Sequence, residues 1–141
     1  MSGFLLDTNV LSELERARPM PSVVAFVRQR PLNSLFTSEI VMAEIRFGID
    51  RATSSKRREE LSRWLTNVIR PMFAGRTLSL TEDILLQWRL MMDVSRRSGY
   101  THPEPDLLLA ATAAHHNLTM LSRDIEPFRR AGVDVVNPWQ G

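Results

Sequence analysis

Two acidic residues lie just after short apolar runs, where a carboxylate would stand near the end of a buried strand. Asp7 comes directly after the run 4–6, and Asp124 is the third residue after the run 118–121. In a parallel sheet flanked by helices, ligands bind beyond the carboxyl ends of the strands. Asp is also a common N-cap residue for a helix that follows. Each of the two is therefore a candidate metal ligand or a helix cap.

Glu44 lies in a segment with helical periodicity, residues 39–52. On a helical wheel that starts at Ile40, Glu44 falls beside Phe47 and Val41, and Arg46 falls across the helix. We therefore expect a buried carboxylate, which must pair with a cation or hold a metal. A structural salt bridge remains the alternative.

Asp106 opens the segment DLLLAATAAHHN, which is apolar nearly all round and is therefore expected to be buried between layers. The helix dipole stabilises an acid in the first turn, which is the structural alternative to a ligand role. The neighbouring Glu104 is expected at the rim of the site or as an alternative ligand.

These four carboxylates are expected to converge on one cleft, where they would raise one another's pKa values until a divalent cation removed that cost. The sequence has no Cys, and its three His have no ligand spacing. Oxygen ligands favour Mg²⁺ or Mn²⁺ over Zn²⁺. His115 and His116 are expected at a helix end and His102 in a loop, away from chemistry.

Short apolar runs alternate with helical segments, which predicts an α/β fold with a mostly parallel sheet. Ser38 and Ser54 or Ser55 are the expected N-caps of two helices, Pro71 is expected to bend the second, and Gly99 should end another. The expected strands are residues 3–7, 35–38, 76–80, 118–122 and 133–136. The expected helices are 8–14, 21–28, 39–52, 55–73, 81–97, 105–117 and 126–131.

The composition limits the class of protein. At 141 residues, with 43% hydrophobic and 24% charged residues, the chain is expected to form a single globular domain, 1–141. It has neither a membrane-length apolar run nor an export signal, so a cytoplasmic protein is expected. Lys56 is the only lysine. The arginine bias suits phosphate binding, but genome base composition would explain it equally well.

The motifs together resemble a known family. LLDTNVLSE, TSEIVMAEIRFG, PDLLLAATAAHHNLT and LSRDIEPF carry the four acids in the order and spacing of the PIN-domain ribonucleases. More narrowly, the chain resembles the VapC toxins of bacterial type II toxin–antitoxin pairs, in the FitB-like branch, whose chains tend to end in NPW as residues 137–139 do. The resemblance covers residues 4–139.

The resemblance implies a PIN-like three-layer sandwich around a five-stranded sheet. It assigns a Mg²⁺ or Mn²⁺ site to Asp7, Glu44, Asp106 and Asp124. Many relatives carry Asn before the fourth acid, where this chain reads Ser122-Arg123. The supporting residues implied are Thr8, Asn9 and Ser122, and the candidate RNA-binding arginines are Arg46, Arg96, Arg97 and Arg123.

The same resemblance implies a toxin that hydrolyses RNA phosphodiester bonds with a metal-activated water. It also implies a homodimer and a cognate antitoxin of the VapB or FitA kind, which inserts a basic side chain among the acids. The alternative is a catalytically silent PIN domain that serves as an RNA- or protein-binding scaffold. None of the four acids is missing, which favours the enzyme.

Two other α/β folds also carry a functional acid at the end of a strand. A haloacid dehalogenase phosphatase needs a second Asp two residues after the first, where this chain has Asn9. A response-regulator receiver needs an Asp at the end of the third strand and a lysine after a later strand. The chain offers Asp83 only beyond that strand and Lys56 too early, so both folds are disfavoured.

Overall fold

The computed structural model describes residues 3–140, so the ends of the expected domain, residues 1, 2 and 141, lie outside the described part. The strands are β1 (Phe4–Leu6), β2 (Leu35–Ser38), β3 (Thr77–Leu78), β4 (Thr119–Leu121) and β5 (Val135–Val136). The helices are α1 (Thr8–Glu15), α2 (Pro21–Arg28), α3 (Glu39–Asp50), α4 (Ser55–Trp64), α5 (Arg70–Met72), α6 (Glu82–Ser98), α7 (Asp106–His115) and α8 (Glu126–Arg130).

The five strands form one sheet in the order β3-β2-β1-β4-β5, and every neighbouring pair is parallel. β1 is central, with Leu5 opposite Phe36 on one side and Met120 on the other. Because consecutive strands run in the same direction, each connection must cross over, and helices supply these crossovers. The predicted α/β class with a parallel five-stranded sheet is confirmed.

The core lies where the sheet meets the helices. Leu5 and Leu6 of β1 are fully buried, and α7 contributes Leu109 and Ala110. Small residues on α7 let it pack closely, as expected for a helix that is apolar nearly all round. This burial fixes the start of α7, and with it Asp106, against the sheet.

Three of the expected helix boundaries are confirmed by their caps. The Ser38 hydroxyl accepts hydrogen bonds from the backbone N–H groups of Ile40 and Val41, at 3.1 and 3.3 Å. Gly99 ends α6 at φ +80°, a conformation that side chains with a Cβ rarely adopt. Of the two serines proposed to cap α4, Ser54 does so.

The expected bend at Pro71 stays a prediction, but the helix is irregular there. A π-helical turn, Leu65–Ile69, precedes the proline, and the Arg70 N–H bonds to the Leu65 carbonyl five residues back. Proline lacks an N–H and crowds the carbonyl four residues before it, so widening the preceding turn accommodates the ring.

No helix among residues 3–140 has the length and apolarity to cross a membrane.

Candidate active site

Asp7 stands at the carboxyl end of the central strand and is only 6% exposed. Its Oδ1 accepts a hydrogen bond from the Thr8 backbone N–H at 2.8 Å, which caps α1. Its Oδ2 accepts a second from the Ser122 hydroxyl, also at 2.8 Å. Capping therefore occurs, but it uses one oxygen of a carboxylate that is held in place from two sides.

Burial raises the pKa of Asp7, and the charges of Asp124 and Glu44 raise it further. The two hydrogen bonds act in the opposite direction because they favour the ionised form. The net rise in pKa means that keeping Asp7 ionised costs the folded protein free energy. A cation next to Asp7 would remove that cost.

Ser122 and Asn9 join the start of α1 to the loop after β4. The buried Ser122 hydroxyl accepts hydrogen bonds from the Asp124 backbone N–H at 3.0 Å and from Asn9 Nδ2 at 3.3 Å. Asn9 Nδ2 also lies 3.5 Å from Asp124 Oδ2, and Asn9 Oδ1 accepts from the Arg123 N–H at 3.2 Å. Asn9 thus orients the fourth acid, and Ser122 the first.

Asp124 does not cap the following helix. The residue before α8 is Ile125, and no side chain bonds to the first turn. The Asp124 side chain is exposed and within reach of Asn9. Its N-cap alternative is therefore excluded, and the carboxylate remains free for the site.

Asp106 occupies the first turn of α7 and is half-buried. Burial, followed by the charges of Asp7, Asp124 and Glu44, raises the pKa of Asp106 from 3.8 to about 6. Glu104, although two residues away, is not among these charges. The effect identifies the four expected acids as one electrostatic cluster.

The expected burial of Glu44 is wrong. Glu44 is exposed, and Phe47, which suggested an apolar face, is 58% exposed. The buried face of α3 instead carries Val41, Ile45 and Ile49. Within residues 3–140, Glu44 makes no ion pair, so the salt-bridge alternative is not observed either. Its charge nevertheless contributes to the raised pKa values of Asp7 and Asp106.

The cluster has an inner half, Asp7 and Asp106, and an exposed rim, Glu44 and Asp124. In the described part of the chain, no three acidic or histidine side chains form a ready-made metal cage. Mg²⁺ does not require one, since it is usually held by one or two carboxylates and keeps several waters. The all-oxygen donor set and the raised carboxyl pKa values therefore fit such an ion.

The candidate arginines differ in placement. Arg123 follows Ser122 directly, and its guanidinium carbon lies 5.2 Å from the centre of the Trp139 ring. Asn137 Nδ2 donates to the Arg123 carbonyl at 3.4 Å, a support that the sequence did not suggest. Arg97 is 3.8 Å from Asp93 on the same helix, which engages its charge elsewhere.

The other two candidate arginines, Arg46 and Arg96, are exposed, and Arg96 lines a cavity beside α6. The rings of His115 and His116 meet edge to face at the far end of α7, away from the acids as expected. His102 Nδ1 lies 2.9 Å from the Ser95 hydroxyl.

Comparison with known proteins finds a family that matches this chain. The PIN domain family matches residues 4–134. The chain is 36% identical over 136 residues to the VapC ribonuclease Y4jK of Sinorhizobium fredii, covering 96% of this chain and 97% of that protein. It is also 36% identical over 135 residues to the toxin FitB of Neisseria gonorrhoeae, covering 96% and 97% of the two chains.

Two solved structures match this chain over nearly its whole length. The crystal structure of FitAcB from Neisseria gonorrhoeae matches with a TM-score of 0.91 and 36% identity, over 96% of this chain and 98% of that one. The structure of FitAB bound to the IR36 DNA fragment matches with a TM-score of 0.89 and 34% identity, over 96% and 95%.

Proposed function

This chain belongs to the PIN-domain family, among the VapC-type toxin ribonucleases, and on that premise we propose that Asp7, Glu44, Asp106 and Asp124 are its catalytic, metal-holding acids. The observation that carries the proposal is the rise of the Asp106 pKa to about 6, which burial causes first and the charges of Asp7, Asp124 and Glu44 increase. A cluster that is costly when empty of cations is stabilised by binding one.

The enzyme is a metal-dependent ribonuclease, and we infer that its ion is Mg²⁺, with Mn²⁺ able to substitute. The absence of Cys and the carboxylate donor set support this preference. When bound, the ion would supply an activated water and positive charge at the scissile phosphate. The products expected are a 5′-phosphate and a 3′-hydroxyl.

The protein's own residues position the acids. Thr8 and Ser122 hold both oxygens of Asp7, so its carboxylate cannot rotate away. Asn9 ties Asp124 to the same frame. Arg123 directly precedes Asp124 in the chain and has its guanidinium near the Trp139 ring, and we propose that it offsets phosphate charge. Arg46, Arg96 and Arg97 remain weaker candidates for RNA contact.

The decisive experiment is cleavage of a mixed RNA pool by purified, antitoxin-free protein in EDTA, Mg²⁺ or Mn²⁺. Asp7→Asn is run alongside, with Asp93→Asn as the matched control on the exposed face of α6. We expect metal-dependent cutting by wild type and Asp93→Asn and none by Asp7→Asn. If the folded wild type cut RNA neither in Mg²⁺ nor in Mn²⁺, the scaffold alternative would be favoured.

The toxin acts with a cognate antitoxin partner, as its FitAB relatives do. We propose that the antitoxin inhibits it by placing a basic side chain among the four acids, which their shared negative charge favours. We place its action on RNA in the cytoplasm and assign the whole chain, 1–141, to one PIN domain, of which the family match covers 4–134.

We further infer that the toxin is a homodimer. One face of α6 exposes Leu86, Leu90 and Val94 at successive turns, to 59%, 58% and 58%. An apolar stripe of this kind is typical of an association surface. Light scattering of wild type and Leu90→Glu tests the inference, and a wild type that remains monomeric at all concentrations would contradict it.

A further inference from the structure

A cavity of about 310 Å³ lies between α6, the loop that follows it and the first turn of α7. This volume is at the lower end of the ~300–1,000 Å³ typical of small-ligand pockets. The side chains that matter for its chemistry are Trp88, Arg96, Tyr100, His102 and Glu104. No role in the acidic cluster accounts for this group.

The cavity adjoins the catalytic acids along the chain. Glu104 and Pro105 form part of its lining and directly precede Asp106, and Leu107, which directly follows, lines it as well. Asp106 itself is not part of the lining, so the cavity and the acids are neighbours through the start of α7 rather than parts of one pocket.

One wall of the cavity is held in place by internal contacts. The Ser95 hydroxyl donates to the Tyr100 carbonyl at 2.6 Å and lies 2.9 Å from His102 Nδ1. The rings of Tyr100 and His102 meet edge to face, with 4.7 Å between their centres. A preformed wall of this kind binds a ligand at little entropic cost.

The remaining chemistry suits a nucleobase. Trp88 supplies a half-buried indole, and aromatic rings and guanidinium planes are the surfaces on which unpaired bases stack. Arg96 and Glu104 are exposed, and neither forms an ion pair within the described chain, 3–140. They can respectively contact phosphate and accept a hydrogen bond from a base amino group.

We propose that this cavity binds one unpaired base of the RNA substrate next to the cleaved phosphodiester, and that Trp88, Arg96 and Glu104 help to set which sequence is cut. The proposal rests on the ribonuclease function proposed above. It extends that function from the acids, which touch the phosphate, to a site that distinguishes bases.

The first test maps cleavage sites in a random-sequence RNA pool by sequencing the new 5′ ends. Trp88→Ala should weaken the base preference at one position beside the cut, while Trp88→Phe, which keeps a flat ring, should retain it. Arg96→Ala should reduce cleavage more than Arg89→Ala, which removes the same charge from the exposed side of the same helix. Unchanged preference in the Trp88 and Glu104→Gln maps would overturn the proposal.

The second test measures binding without cleavage and so separates this proposal from the nuclease assignment. In the Asp7→Asn background, fluorescence anisotropy is recorded with a single-stranded oligoribonucleotide and with copies that carry one abasic site each. Trp88→Ala should weaken binding about 5- to 150-fold, as expected for loss of one base–aromatic stack. The abasic copy that lacks the docked base should bind both proteins equally.

Several outcomes distinguish the two proposals. Metal-dependent cutting together with Trp88-independent RNA binding would refute the base site and leave the nuclease intact. Trp88-dependent RNA binding without any cutting would support the base site and refute the nuclease assignment. If Trp88→Ala weakened binding of the cognate antitoxin but not of RNA, the cavity would be a peptide site and the base proposal would fail. Circular dichroism melts confirm that each variant is folded.

Discussion

Asp106→Asn should stabilise the metal-free protein at neutral pH. The substitution replaces a carboxyl group, whose pKa is raised from 3.8 to about 6, with a neutral amide of the same shape. It also breaks no hydrogen bond, because among the described residues none is donated to the Asp106 carboxylate. Asp7 would be a poorer choice, since its two oxygens accept bonds from Thr8 and Ser122.

The expected gain follows from the raised pKa. A rise from 3.8 to about 6 corresponds to about 3 kcal/mol at ~1.36 kcal/mol per pH unit. Asp106 is only half-buried, so solvent screening reduces this to about half. Loss of the favourable helix-dipole interaction at the start of α7 costs about 0.3–1 kcal/mol. The net gain is about 1 kcal/mol, or roughly 3–4 °C in Tm for a chain of this size.

The pH dependence has a definite sign. Below pH 4, Asp106 is protonated in both the folded and the unfolded chain. Between pH 4 and 6, the folded state binds the proton more tightly, so this group's contribution to stability is lost as pH rises through the folded pKa. The difference in Tm between Asp106→Asn and wild type should therefore grow from pH 4 to about pH 7 and then level off.

The assay is thermal unfolding in EDTA at several pH values, repeated in Mg²⁺. Asp93→Asn is the control, because it makes the same chemical change at an exposed residue that lies 3.8 Å from Arg97. Its Tm should stay level or fall slightly. If Asp106→Asn were no more stable than wild type in EDTA at pH 7.5, the reasoning from burial and mutual repulsion would be refuted.

Four further outcomes are expected. Asp7→Asn should abolish metal-dependent cleavage of an RNA pool; retained activity in pure protein would remove Asp7 from the ligand set. Mg²⁺ should raise the Tm of wild type, because an ion at 100 times its Kd adds about 2.7 kcal/mol to the free energy of unfolding. A Tm that did not change at millimolar Mg²⁺ would argue against the site. Glu44→Gln should lower cleavage but change metal-free stability less than Asp106→Asn, because Glu44 is exposed; an equal rise in Tm would show that Glu44 is buried after all. Ser122→Ala should cost about 1–3 kcal/mol in urea unfolding, because it leaves an Asp7 oxygen buried without its donor; an unchanged midpoint would show that this bond contributes little.

Much of the architecture could be predicted because it depends on local signals. Alternating apolar runs and helical periods specified a parallel five-stranded sheet, and Ser38 and Gly99 marked helix ends through capping chemistry that acts within a few residues. The π-helical turn before Pro71 could not be predicted, because a proline's effect can be met by a kink or by a widened turn.

Glu44 shows where a helical wheel fails. The wheel contains two groups of apolar residues, one around Phe47 and one around Ile45 and Ile49, and nothing local says which of them the sheet will cover. In the fold the second group is buried and Phe47 is left exposed. That Glu44 faces the acidic cluster stays a prediction, because the burial argument for it was wrong and only the effect of its charge on the pKa of Asp106 supports it.

The sequence by itself determined the types of the four acids and the places of Asp7 and Asp106, because a strand end and a first helical turn are set by neighbouring residues. Only the tertiary structure decided how the acids are held. The bonds from Ser122 to Asp7 and from Asn9 to Asp124 join residues 115 positions apart. Such contacts exist only once β1 and β4 lie side by side, since parallel pairing brings the ends of distant strands to the same edge of the sheet.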